Sequence, residues 1–539
     1  MPVPFLPVAA LSTETELVLL GVLVAVAALF VASAFSEVPY PILFVLGGLT
    51  LGFVPGVPDV QLNPDLVLVI VLPPLLYSAA FFSSLRDLRA NASQISLLSV
   101  GLVLATTFVV AVVAHAFIDD LSWEAAIVLG AVVSPTDPIA ATSIAERLNV
   151  PRRVVTVVEG ESMINDASAL IIYKFAVAAA VTGAFSLGDA ALEFVASAAG
   201  GVAIGIAVGW VVAQVRRRLD DAPAEIALSL MTAYFAYLPA VAVGASGVLA
   251  AVTTGIFLGW RAPVLVTSPA TRLQAYAVWE ILVFLVNAFL FALLGLQFQG
   301  LVDRLGGFSA GTLLGYGALV SVTVILVRFA WVVPFSILSR GLLHRFRAAD
   351  GDWEWKAPML IGWTGMRGAV SLAAALAIPF QTDAGAPFPG RDLVIFLTFC
   401  VILGTLVVQG LTLPSLIRAL RVPGDADAER EELKARKHAA KAAVARIDAL
   451  AAEDWVRDDT ADRMRAFYDF RLRRFAARFD DGDDGSLDRQ SRDYQRLRRA
   501  ALEAERSAVY DLRNRGLIND EVMRRVIRDV DLEDERLEI

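Results

Sequence analysis

The hydrophobic pattern divides the chain in two. Up to residue 424 it is a succession of long apolar runs separated by short charged loops; from Asp425 onward the runs stop. A helix needs about 20 apolar residues to cross the hydrocarbon core of a bilayer. Such runs lie at 16–35, 38–56, 65–82, 94–118, 123–146, 154–182, 190–215, 224–242, 245–260, 274–298, 309–339, 357–380 and 392–420. The pattern predicts thirteen transmembrane helices, the eighth and ninth separated only by Val243, Gly244, Ala245 and Ser246. The first run contains Ala32-Ser33-Ala34, which looks like a signal-cleavage triplet. No Lys or Arg precedes Arg86, so the basic segment of a signal peptide is missing and the run is expected to be a retained helix.

Composition agrees with this reading. Hydrophobic residues make up 57% and mean hydropathy is +0.63, which excludes an ordinary soluble domain. The net charge of −9 is unevenly spread. Of 55 acidic and 46 basic residues, 29 and 25 fall from Asp425 to the end. Residues 1–424 are therefore expected to form a transmembrane domain and residues 425–539 a charged helical tail. A single cysteine, Cys400, excludes a disulfide framework. Arginine outnumbers lysine, as in GC-rich prokaryotic genomes.

Loop charge gives the orientation. Alternate loops hold Arg86 and Arg89; Arg147, Arg152 and Arg153; Arg216, Arg217 and Arg218; Arg261 and Arg272; and Arg340, Arg345, Arg347 and Lys356. The opposite loops hold only Arg304 and Arg391. Basic loops stay in the cytoplasm, so the N-terminus is expected outside and the tail inside. Spans 1–6 then start outside and spans 8–13 start inside, with span 7 connecting them. Two six-helix halves of opposite orientation are the pattern of an inverted-repeat transporter.

The fifth member of each half is interrupted. In span 5, Pro135 and Pro138 flank Asp137 within Ser134-Pro135-Thr136-Asp137-Pro138. Proline has no N–H, so the carbonyls of Ala131 and Ser134 are expected to lose their helical partners. In span 12, Gly362, Gly365 and Gly368 weaken the helix around Arg367. Span 6 carries Glu161-Ser162-Met163-Ile164-Asn165-Asp166. Ser162, Asn165 and Asp166 share one helix face, from which Glu161 is expected to point away. At the rise of an α-helix, Asp137, Asp166 and Arg367 lie roughly 21, 18 and 15 Å into their spans, near the bilayer midplane. Carboxylates at that depth are costly and mark function. Free carbonyls, hydroxyls and carboxylates gathered there suit a desolvated hard cation.

These residues carry a resemblance. Pro135-Thr136-Asp137-Pro138, Gly160-Glu161-Ser162 to Asn165-Asp166, and Gly365-Met366-Arg367-Gly368 resemble the three signature segments of the monovalent cation/proton antiporters. The Asn-Asp pair resembles the sodium/proton exchanger branch, cation/proton antiporter family 1. Tyr510-Asp511-Leu512-Arg513 onward is similar to the end of bacterial members. The resemblance implies that Asp166 alternately takes the cation and the proton. It implies Ser162 and Thr136 as further ligands, Asn165 and Asp137 as a pair bracing the unwound segment, and Glu161 with Arg367 as an intramembrane ion pair. After Leu72-Pro73-Pro74-Leu75-Leu76-Tyr77, several relatives carry a glutamate where this chain has Ser78.

The expected activity is Na⁺/H⁺ antiport (Li⁺ in place of Na⁺ included), electroneutral and one-for-one by alternating access. Exchange of K⁺ or a broad range of monovalent cations is the alternative. Other classes fit less well. An intramembrane aspartyl protease shares a proton between two carboxylates, but its Tyr-Asp and Gly-x-Gly-Asp contexts are absent. A channel or sensor on a transporter fold would lack counter-ion flux. The expected partners are a monovalent cation, a proton and the plasma-membrane bilayer, with no cofactor and no nucleic acid; a homodimer is implied by the resemblance alone. Arg328, Lys174 and Glu280 are read as snorkelling or mutually paired, and Asn287 as a helix-packing residue. In the tail a helix is expected over Ala428–Ala452, a loop at Asp480–Gly485, a helix end at Gly516 and a helix start at Asn519.

Overall fold

The computed structural model describes residues 24, 27–33, 35–36, 38–54, 67–183, 187–265, 268–342, 355–422, 426–477 and 486–535. The first expected span, 16–35, falls mostly outside the described residues, as does the acidic loop Asp480–Gly485. The protein divides into two compact units, Met1–Gly424 and Asp425–Ile539. The fold is all-α. Among the described residues the β content is one isolated bridge between Gln381 and Pro387.

In the first unit every expected span from the second onward has a helix, whole or broken, at its place. In chain order they are α1 (Tyr40–Gly52), α2 (Leu72–Phe82), α3 (Leu85–Ala90), α4 (Ala92–Phe117), α5 (Trp123–Val133), α6 (Ile139–Arg147) and α7 (Arg152–Thr182). Then come α8 (Leu187–Arg216), α9 (Ala222–Ala242), α10 (Gly247–Leu265), α11 (Pro269–Leu296), α12 (Phe298–Arg304) and α13 (Ala310–Leu342). The unit ends with α14 (Lys356–Trp363), α15 (Ala369–Leu376) and α16 (Arg391–Ala419). Among the described residues, seven helical stretches are each long and apolar enough to cross a membrane, in α4, α7, α8, α9, α11 together with α12, α13 and α16.

Local chemistry sets the boundaries. Ser122 opens α5 by accepting from the Ala125 N–H, and Asp221 opens α9 by accepting from Ala224. The eighth and ninth spans are separate: Gly244 turns the chain at φ +77°, a left-handed conformation that costs glycine little. Pro135 and Pro138 stop span 5 at Val133 and let it restart at Ile139; span 12 breaks between Trp363 and Ala369. Within α16, Thr405–Gln409 forms a wide i→i+5 turn, a feature frequent at functional sites.

One apolar cluster joins α1, α4–α7 and α11–α16 and surrounds both breaks. Smaller clusters join α2 and α8–α11.

The second unit contains α17 (Ala426–Leu450), α18 (Asp458–Ala477), α19 (Ser486–Asn514) and α20 (Asp520–Glu535). Gly516 follows α19 at φ +73°, and Asn519 caps α20 by accepting from the Val522 N–H at 2.8 Å. Arg506 on α19 bonds Asp531 (2.8 Å) and Asp534 (3.3 Å) on α20.

Candidate functional site

The two breaks meet. The Asp137 N–H donates to the Met366 carbonyl at 2.8 Å, joining the unwound segment between α5 and α6 to the one between α14 and α15. Gly368 lies against the Asp137 carboxylate, so closely that a Cβ there would collide with it. Asp137 also restarts its own helix, its Oδ1 accepting from the Ile139 N–H at 2.9 Å.

Helix α7 holds the first break from the side. Ser162 Oγ donates to the Thr136 carbonyl (2.8 Å), and Asn165 Nδ2 donates to Thr136 Oγ1 (2.7 Å). Thr136 Oγ1 in turn donates to Glu161 Oε1 (3.3 Å). Thr136, Asp137, Glu161, Ser162, Asn165 and Asp166 are all buried. Two buried acceptors among them make no hydrogen bond within the protein: Asp166 Oδ1 and Asn165 Oδ1. The Ser162 hydroxyl and Thr136 carbonyl keep lone pairs beyond their mutual bond. The cluster therefore offers an oxygen-rich set for a small hard cation.

Several expectations are corrected. Glu161 pairs with Arg328 of α13 and not with Arg367. Arg328 Nη1 and Nη2 grip its two carboxylate oxygens at 2.5 and 2.8 Å, and both residues are 1% exposed. Arg328 Nε and Nη2 also donate to the Ile361 carbonyl at 3.1 and 2.9 Å. The reason is access: Glu161 stands four residues before Asn165, on a flank that Arg328 reaches across the bare backbone of Gly365. Arg367 is fully buried, and its three guanidinium nitrogens make no hydrogen bond within the protein. Its backbone N–H bonds Thr405 Oγ1 at 3.0 Å.

Glu161 does not point away from the Ser162–Asn165 side, since both it and Asn165 reach Thr136; residues four apart on a helix are neighbours. Asn165 and Asp137 brace the unwound segment separately, one through Thr136 and the other through Ile139. The Ala131 carbonyl is not left free, because Ser134 returns both its N–H (3.4 Å) and its hydroxyl (2.8 Å) to it. Lys174 and Glu280 are exposed, while Asn287 is buried and donates to Val283 within its own helix. Reasoning from sequence missed two fully buried residues of α16, Thr405, which accepts from the Arg367 N–H, and Gln409. A threonine or glutamine in an apolar run was the available signal.

A family model described as "Sodium/hydrogen exchanger, transmembrane" matches residues 21–419. An uncharacterised Na⁺/H⁺ exchanger of Mycobacterium tuberculosis, Rv2287, is 38% identical over 503 residues, covering 92% of this chain and 91% of that one. The Na⁺/H⁺ antiporter ApNhaP of Aphanothece halophytica is 32% identical, covering 81% of each. A sodium, potassium, lithium and rubidium/H⁺ antiporter of Bacillus pumilus is 34% identical over 70% of this chain and 58% of its own length. Among solved structures, the sodium proton antiporter MjNhaP1 of Methanocaldococcus jannaschii at pH 8 matches with a TM-score of 0.57 and 19% identity, covering 76% of this chain and 99% of that one. That likeness is one of fold.

Proposed function

This chain belongs to the sodium/hydrogen exchanger family, and from that premise we propose that it exchanges Na⁺ for H⁺ one for one, electroneutrally, by alternating access. The protein is a multi-pass membrane transporter; the ion, the stoichiometry and the residues are the proposal. One observation carries it. Among the described residues the buried charged side chains are Asp137, Glu161, Asp166, Glu225, Arg216, Arg328 and Arg367. Glu161 pairs with Arg328 and Glu225 lies 4.0 Å from Arg216, and four carboxylates against three guanidinium groups leave one negative charge over. We assign that charge to Asp166, which has one oxygen unbonded, whereas Asp137 caps α6 through Ile139. A proton or one monovalent cation completes it, and either leaves the interior neutral. An empty, ionised Asp166 is too costly to carry across the membrane. Only the loaded forms then reorient, which is the coupling. Ser162, Thr136, Asn165 and Asp137 complete the cation's surroundings.

Protons and cations compete for one carboxylate, so the apparent Na⁺ affinity weakens as pH falls. Flux into proteoliposomes with Na⁺, Li⁺ and K⁺ across a pH series, under a clamped membrane potential, tests this. Electroneutral exchange shows a rate indifferent to voltage; a rate that follows the imposed potential defeats the stoichiometry. A second reading, broad monovalent cation/H⁺ exchange, is favoured by the activity named for the Bacillus relative.

Ser78 bears on this choice. It is buried, and its hydroxyl bonds the Leu75 carbonyl within α2 at 3.0 Å. Ser78→Glu is expected to tighten cation binding or shift the pH profile by adding a carboxylate. Unchanged affinity and pH optimum would place position 78 remote from the ion. The excess of basic residues on alternate loops supports a cytoplasmic tail. A homodimer rests on the family resemblance.

A further inference from the structure

We infer that Thr405, on the wide turn of α16, is a positioning residue for the ion site. The peptide joining Met366 to Arg367 is held at both ends. Its carbonyl accepts from the Asp137 N–H at 2.8 Å, and its N–H donates to Thr405 Oγ1 at 3.0 Å. Thr405 is itself fixed, donating to the Val401 carbonyl at 2.7 Å. A continuous chain of hydrogen bonds thus runs from α16 through one peptide plane to the backbone of Asp137. Linked bonds of this kind polarise and orient one another, more so where water is excluded. Asp137 is preceded by Thr136, whose carbonyl and hydroxyl face Ser162, Asn165 and Glu161. Thr405 therefore sets the orientation of the second break, and through it the placement of the first. It touches neither the cation nor Asp166, and acts through the 366–367 peptide. The wide turn that begins at Thr405 makes this local geometry differ from that of a regular helix.

The inference rests on the exchange reading above, and the test separates the two. Full-length protein is reconstituted in proteoliposomes, and Na⁺-dependent proton flux is recorded against Na⁺ concentration over a pH series. Thr405→Val keeps the shape and removes the acceptor. It is expected to raise the apparent KM for Na⁺ about three- to tenfold, the size of one lost hydrogen bond, with a smaller change in maximal rate. Because protons then compete better, its activity profile moves to higher pH at fixed Na⁺. Thr405→Ser restores the hydroxyl and is expected to restore both. A Thr405→Val protein that loses thermal stability but keeps the wild-type KM and pH profile would overturn the inference, as would a serine variant that fails to rescue. If the valine protein is not recovered folded, Thr405→Cys, whose thiol is a poor acceptor, carries the same expectation and the same overturning result. A wild-type protein without cation–proton exchange overturns the exchange reading itself; wild-type exchange with an unaltered Thr405→Val overturns only the role of Thr405.

Discussion

Replacing Asp166 with asparagine is expected to abolish cation–proton exchange while leaving the protein folded. The amide has nearly the carboxylate's shape and makes no demand for a counter-charge, so the packing around a residue only 5% exposed survives. What it lacks is a proton to release and a negative charge to meet the cation. Asp137 cannot substitute. Its carboxylate caps α6 through Ile139 and is pressed against Gly368, so its place is structural as well as electrostatic. The measurement is Na⁺-driven proton flux in vesicles alongside a thermal unfolding curve. Robust exchange by Asp166→Asn would sink the assignment. An inactive protein with a lowered unfolding temperature would leave structure as the cause, and Asp166→Glu, which keeps the charge, is then expected to recover measurable exchange.

The second large effect belongs to Arg328. Removing one partner of a buried, hydrogen-bonded ion pair costs about 3–5 kcal/mol, because the other charge stays behind without water. Arg328→Ala strands Glu161, which is 1% exposed, and also removes two hydrogen bonds to the Ile361 carbonyl. It is therefore expected to destabilise the protein by about that amount, seen as a large fall in unfolding temperature and in recovered protein. Arg367→Ala removes a guanidinium that makes no hydrogen bond within the protein, so its cost in stability is expected to be smaller. The order of the two unfolding temperatures decides the pairing. An Arg367→Ala protein less stable than Arg328→Ala would return the partnership to Arg367.

Much of this architecture could be read from the residues. The apolar runs placed the helices because a bilayer imposes one length on every span. The breaks were visible because proline removes a donor and glycine weakens a helix. Asp137, Asp166 and Arg367 were expected at one depth, but depth does not say which side chain faces which. That depends on the rotation of α13 against α7, and on a gap at Gly365 that exists only once the helices are packed. Two arginines stood near the right level, and the sequence offered no means of choosing Arg328. The family motif favoured the other. The bonds to Thr136 were equally hidden, since they need the unwound backbone laid on α7. Thr405 left little trace, because one hydroxyl in an apolar run is ordinary in a membrane helix.

The wide turn in α16 also affects helical phase. Each residue of an α-helix advances about 100° around the axis, and an i→i+5 turn accommodates one residue beyond a regular turn. The buried positions Val401, Thr405, Gln409, Leu413 and Ile417 recur every fourth residue, a step that would drift steadily around a regular helix. The extra residue absorbs the drift and keeps all five on the inner side. Closing this turn to i→i+4 at constant length would rotate Gly410–Ala419 by about 100° and swing Leu413 and Ile417 off the inner side, whereas deleting a single residue between Thr405 and Gln409 would close the turn and keep both in place. A one-residue gap at this point, when two such sequences are aligned, therefore marks a change in how the last helix is wound.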